Sequence, residues 1–288
     1  MLVPIVPQKR RMKMQKLFNE IHEAWLATQF TGFMSQTQSR QELYEFSNIL
    51  FKHLTWIEND FTKQGLSYSY DIAHVPVKVS HISVMINNIV QRLTAIESQL
   101  DLCGDEHITF RMRSDLRYMK SALEKLPEEE VVSAFDAKRE YGNIELTSEA
   151  KDALTLFLFE ESYKEYELIM VYNYSKANSK DAFLNRIFQI LIDESFFHLR
   201  SFGQMMAQMG ILSVPRSLME EIYKFDDLEQ FLKDGIQEEI GAKEECKKLA
   251  DAVSSSSEHF ADFFTFINNQ ENYHIALMEE ALEYIAKK

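Results

Sequence analysis

Apolar side chains recur along this chain three and four residues apart, in long segments separated by short polar breaks. That period belongs to the α-helix. It predicts helices over 8–36, 40–64, 75–102 and 107–126, and again over 148–176, 180–209, 226–253 and 256–286. Between the two sets runs a charged stretch, LPEEEVVSAFDAKREYGNIELTSE. Start signals support the second set. Asp226 precedes Glu229 by three residues and Ser255 precedes Glu258 by three, both in the manner of a capping box. The serine run 254–257 marks the last turn, and Pro215 opens a short extra piece after Gly210.

The expected fold is all-α: two antiparallel four-helix bundles, at 1–128 and 148–288, with a connector at 129–147. At an offset of 145, Phe51, His53, Leu54 and Gly65 align with Phe196, His198, Leu199 and Gly210. Four matches suggest a duplication without establishing one.

Composition agrees with helices. The 288 residues include only 8 Gly and 5 Pro, the two strongest helix breakers. The net charge of −14 disfavours nucleic acid and anionic membranes as partners. Two cysteines, Cys103 and Cys246, make neither a disulfide framework nor a thiolate metal site. The start, MLVPIVPQKRRMKMQK, places its apolar run before its basic cluster, the wrong order for a secretory signal. No apolar run approaches the ~18 residues of a membrane span, so the cytoplasm is the expected compartment.

Chemistry concentrates in the last four helices. The first carries Glu161 and Glu165, four apart and therefore on one face with Leu154, Phe157, Leu158 and Leu168. The second carries Glu194 and His198 in an otherwise apolar run, ILIDESFFHLRSFG. The third carries Glu238 and Glu239, and Glu239 falls on the heptad Phe225, Leu232, Cys246, Val253. The fourth carries the Glu-x-x-His pair Glu271 and His274. Counted from the loops near 178 and 255, Glu161, Glu194, His198, Glu239, Glu271 and His274 all lie about 24 Å away or slightly more. Four carboxylates and two imidazoles thus reach one layer of one core. Like charges at that range oppose burial, and two divalent or trivalent metal ions would resolve the conflict. Taken singly, each residue has a plainer reading: a solvated glutamate, or a hydrogen-bonded core histidine. Glu160, Glu165 and Glu238 read as solvated or supporting groups, although Glu165 could replace Glu161, and Glu238 could replace Glu239. Tyr163, Tyr166 and Tyr273 lie near the layer, with core packing their plainer role.

This set resembles the ferritin-like di-iron carboxylate superfamily, which draws one Glu from each of two helices and a Glu-x-x-His pair from each of the other two. Glu161, Glu239 and the Glu271/His274 pair follow that pattern. DESFFHL resembles the family's Asp-Glu-x-x-His segment, with Glu194 and His198 four apart instead of three. The resemblance covers 148–288. It implies two iron ions, or a manganese–iron pair, held by Glu161, Glu194, Glu239 and Glu271, with His198 and His274 as terminal nitrogen ligands. It implies a non-haem dimetal oxidase or oxygenase activating dioxygen or peroxide. Electrons would come from an external donor, since no flavin, nicotinamide or rubredoxin-like motif is present. The substrate would be a small molecule. Phe157, Phe196, Phe197 and Phe264 could line an apolar path for an acyl or other lipophilic one, or simply pack the core. Two alternatives stand beside this: a ferroxidase or iron-handling protein, and a non-catalytic helical scaffold.

The first half offers no comparable set. Glu20 faces His53 across the loop near 37, Ile49 takes the place of Glu194, Asn88 is the polar residue at matching depth, and Asp115 and Tyr118 approximate the last pair. This bundle is expected to serve packing, formation of a homodimer, or access. His74 and His81 read as surface or core histidines.

Overall fold

The computed structural model describes residues 8–35, 37–70, 81–102, 105–127, 136–142, 144–212 and 217–288. Among them are nine α-helices, one 3-10 turn and no strand. The chain divides into two compact units, Met1–Ser133 and Ala134–Lys288. No helix among the described residues is long and apolar enough to cross a membrane.

The first unit holds α1 (Gln8–Met34), α2 (Thr37–Lys63), α3 (Ile82–Glu97), the 3-10 turn Leu100–Leu102 and α4 (Glu106–Leu123). α1 packs on α2 and α3, and α4 closes against both. With partners on several sides, α1 is buried continuously from Ala24 to Phe33. Thr28 and Thr31 satisfy their hydroxyls inside that apolar setting by donating to the carbonyls of Ala24 and Ala27. Phe18 anchors the core against Phe61, Tyr68 and Tyr70. Asp105 starts α4 by accepting from the amides of His107 and Ile108. The helix expected over 75–102 is shorter. His81 is extended at its N-cap, and a 3-10 turn replaces its last turn. His81 is exposed, and residues 71–80 with His74, like Cys103, lie outside the described residues.

The second unit holds α5 (Ser148–Asn178), α6 (Ala182–Gln208), the short α7 (Glu220–Tyr223), α8 (Leu228–Val253) and α9 (Glu258–Ala286). α5 pairs with α6 and α8 with α9, while α5 also touches α8 and α6 touches α9. Thr147, Asp181, Asp227 and Ser257 cap the four long helices. Two caps differ from expectation. Asp227 replaces Asp226. Ser257 replaces Ser255: Ser254 is still helical at the end of α8, the amides of Ser256 and Ser257 both donate to the Val253 carbonyl, and Ser257 is extended with its hydroxyl accepting from the Phe260 amide. Pro215 lies outside the described residues. α7 places Tyr223, fully buried, against Tyr174.

The last part of the expected connector belongs to this unit. The amides of Ala137 and Arg139 donate to the carbonyls of Gly210 and Met209, Tyr141 packs edge-on against Phe260 at 4.5 Å, and Leu146 is buried. Gly210 ends α6 at φ +78°, and a Cβ there would meet the Asp136 carboxylate and come within 2.9 Å of the Ala137 amide nitrogen. Only glycine meets both demands without strain.

Two sets of apolar residues fill the interior. One is built from Leu154, Phe157, Phe202, Met206, Leu249, Phe260 and Phe264. Further along the helices Ile169, Tyr172, Phe188, Leu191, Leu232 and Leu277 are buried as well, with Tyr172 stacked on Phe188. On each of the four long helices buried polar residues fall between the two sets in number: Glu161 and Glu165, His198, Glu239, and Glu271 and His274.

Candidate metal centre

Numbered between these sets, Glu165 of α5, His198 of α6, Glu239 of α8, and Glu271 and His274 of α9 are all buried. His198 Nδ1 lies 2.9 Å from Glu165 Oε1 and 3.6 Å from Glu271 Oε1. His274 Nδ1 lies 2.9 Å from Glu271 Oε2 and 3.5 Å from Glu239 Oε1. The two oxygens of Glu271 therefore face different histidines, and the imidazole centroids are 5.8 Å apart. Two groups of donor atoms result, Glu165–His198–Glu271 and Glu239–Glu271–His274, each with its atoms within 4.8 Å of one another.

Four of the six residues singled out from the sequence, His198, Glu239, Glu271 and His274, stand in these groups. The other two are placed beside them. Glu161 is buried, but its Oε1 accepts from Lys164 Nζ at 2.8 Å. Glu194 is partly exposed and sits behind His274, its Oε2 2.8 Å from Nε2. Glu165 enters where Glu161 was expected. The reason is the tilt of side chains toward the N-terminus of their own helix. In antiparallel α5 and α6 that tilt brings Glu165 and His198 toward each other, although Glu161 matches the backbone depth of His198 better. Gln270, which sequence reasoning did not single out, places Oε1 3.1 Å from His198 Nε2. Glu160 and Glu238 are exposed. Of the tyrosines, Tyr166 is buried, Tyr163 half-buried and Tyr273 exposed. Phe157 meets Phe202 and Phe264 edge-on in the core beneath His198, while Phe197 is exposed against Phe266.

The electrostatics show how strained this polar layer is. Burial alone would lower the pKa of His198, but the charge and hydrogen bond of Glu165, with Glu271 behind it, raise it to about 9. His274 is raised to about 12, because Glu194, Glu239 and Glu271 overcome its burial. Burial pushes Glu161 up. Burial and the facing Glu239 push Glu271 up as well. Against its own burial, Glu239 is held low by protons donated from His274 and Glu271. Burial thus opposes charge on these carboxylates, and the facing imidazoles favour it.

The donor set fits a pair of cations. Carboxylate oxygens with one imidazole nitrogen per group suit iron or manganese. Glu165 Oε2 is buried without a hydrogen-bond partner, leaving acceptor capacity that a cation would use. Cys246 lies on the Glu239 face of α8 as a buried thiol outside both groups, and burial pushes its pKa up.

In the first unit Glu20 and His53, expected to face one another, go to separate partners, and His53 meets Asp115 of the same expected set. His53 Nε2 bonds Asp115 at 3.1 Å, Glu20 accepts from the Gln99 amide, and Asn88 holds Arg92. Tyr118 is exposed, edge-on to Phe46. Both groups of converging donors found among the described residues lie in the second unit.

No protein-family model matches the chain, and no curated protein or solved structure matches it at a significant level.

Proposed function

We propose that α5, α6, α8 and α9 form a ferritin-like four-helix bundle around a dimetal centre, and that the protein is a non-haem dimetal oxidase or oxygenase. The observation that carries this reading is the division of Glu271, with Oε1 toward His198 and Oε2 toward His274. In this reading Glu165 and His198 would hold one ion and Glu239 and His274 the other, with Glu271 within reach of both. The closed ring of contacts, α5 to α6 to α9 to α8 and back, suits such a bundle. A redox-active pair of ions held there would supply activation of dioxygen or peroxide. The chain's own residues fix the donors and keep water out. Phe202 stacks on His198 at 5.8 Å, and Phe157 and Phe264 seal the layer beneath. Lys164 holds Glu161 aside from both groups. Substrate and electrons would come from outside.

Elemental analysis of protein purified without chelator tests this. About two iron or manganese ions per chain are expected in the wild type. Glu271→Ala and Glu165→Ala should lose metal while keeping helical circular dichroism, and Glu161→Ala should retain it. No stoichiometric metal in the wild type after anaerobic reconstitution with ferrous iron would sink the proposal. Metal with rapid ferrous oxidation and a cage-sized particle on gel filtration would point instead to iron handling.

A further inference from the structure

The two donor groups match in kind. Each has one carboxylate of its own, one imidazole Nδ1 and one oxygen of Glu271. They differ behind the imidazoles. His274 Nε2 meets the Glu194 carboxylate at 2.8 Å, whereas His198 Nε2 meets the Gln270 amide oxygen at 3.1 Å. An acceptor on the far nitrogen keeps the proton there, leaves Nδ1 to face the donors' centre, and holds the ring in place. A carboxylate does more than an amide. An ion held at Nδ1 would bring positive charge close to the ring. The negative charge of Glu194 favours that positive charge, and neutral Gln270 favours it less.

We propose that Glu194 and Gln270 are positioning residues that make the two ion positions unequal, so that the His274 position fills first and the His198 position second. This inference rests on the dimetal reading. It also accounts for the spacing of four between Glu194 and His198: the two residues serve different donor groups, with Glu194 reaching across to α9.

The test is anaerobic titration of the metal-free chain with Co(II), followed by calorimetry and visible absorption. Two binding events should appear, separated by about tenfold or more in affinity. His274→Ala should abolish the tighter event and His198→Ala the weaker. Glu194→Gln, which keeps the hydrogen bond and removes the charge, should weaken the tighter event about 10- to 100-fold and draw the two together. Gln270→Glu should strengthen the weaker one, a gain that a misfolded variant could not produce. Two equal events in the wild type would overturn the inference and leave the dimetal reading standing. So would loss of one whole equivalent in Glu194→Gln, which would make Glu194 a ligand. No binding of any kind in the wild type would overturn both.

Discussion

His22 shows what a single buried group can do to the chain's response to pH. It is fully enclosed, stacked against Trp25, and burial lowers its pKa to about 3. The unfolded chain therefore takes up this proton near pH 6.5, well before the folded chain does. Stability that is present above pH 6.5 is lost as pH falls from 6.5 toward 3. Burial lowers His53 too, with Asp115 opposing it. The chain's two tryptophans, Trp25 and Trp56, are both in the first unit. Urea midpoints read by tryptophan fluorescence should fall between pH 7 and pH 5, and His22→Phe should flatten that slope. A wild-type midpoint that stays constant would contradict the assignment. At this scale the sequence was partly legible. Glu239 could be placed inward because Leu232, Cys246 and Val253 draw the stripe it sits on, and all four are buried. Glu165 could not be preferred to Glu161, because counting residues along a helix ignores the tilt of the side chain. Gln270 carried no signal, since an amide beside Glu271 resembles any surface glutamine.

Among elements, the all-helical class was legible from period and from the scarcity of breakers, and every long helix appears within a few residues of its expected ends, α3 excepted. What escaped was the chain between them. The stretch 136–142 reads as charged connector, yet its amides hook onto the end of α6. Gly210 and Gly65 test how much that hook matters. Both have positive φ, but only Gly210 faces another segment where a Cβ would stand. Gly65→Ala should cost about 1–2 kcal/mol, the usual penalty for left-handed backbone. Gly210→Ala should cost clearly more, measured by urea unfolding followed by circular dichroism. Equal losses would show that the hook yields freely.

For the molecule as a whole, ion binding should stabilise one unit selectively. At a free ion concentration of 100 times Kd, each site adds about 2.7 kcal/mol to the state that binds it. Hydrogen exchange with and without Mn(II) should therefore slow across α5, α6, α8 and α9 and leave α1 to α4 unchanged. Equal slowing in both units would place the ions elsewhere. The wiring of the centre has a further consequence for how the protein is made. Glu165 and His198 belong to one helical hairpin, 33 residues apart in the chain, and Glu239 and His274 belong to the next. In the dimetal reading each hairpin would emerge from synthesis with one carboxylate and one imidazole of its own donor group already on facing helices, and Glu271 would be shared between the two groups. In that reading an ion caught early by either hairpin would act as a template on which the other docks, and metal supply during synthesis would set the yield of folded protein.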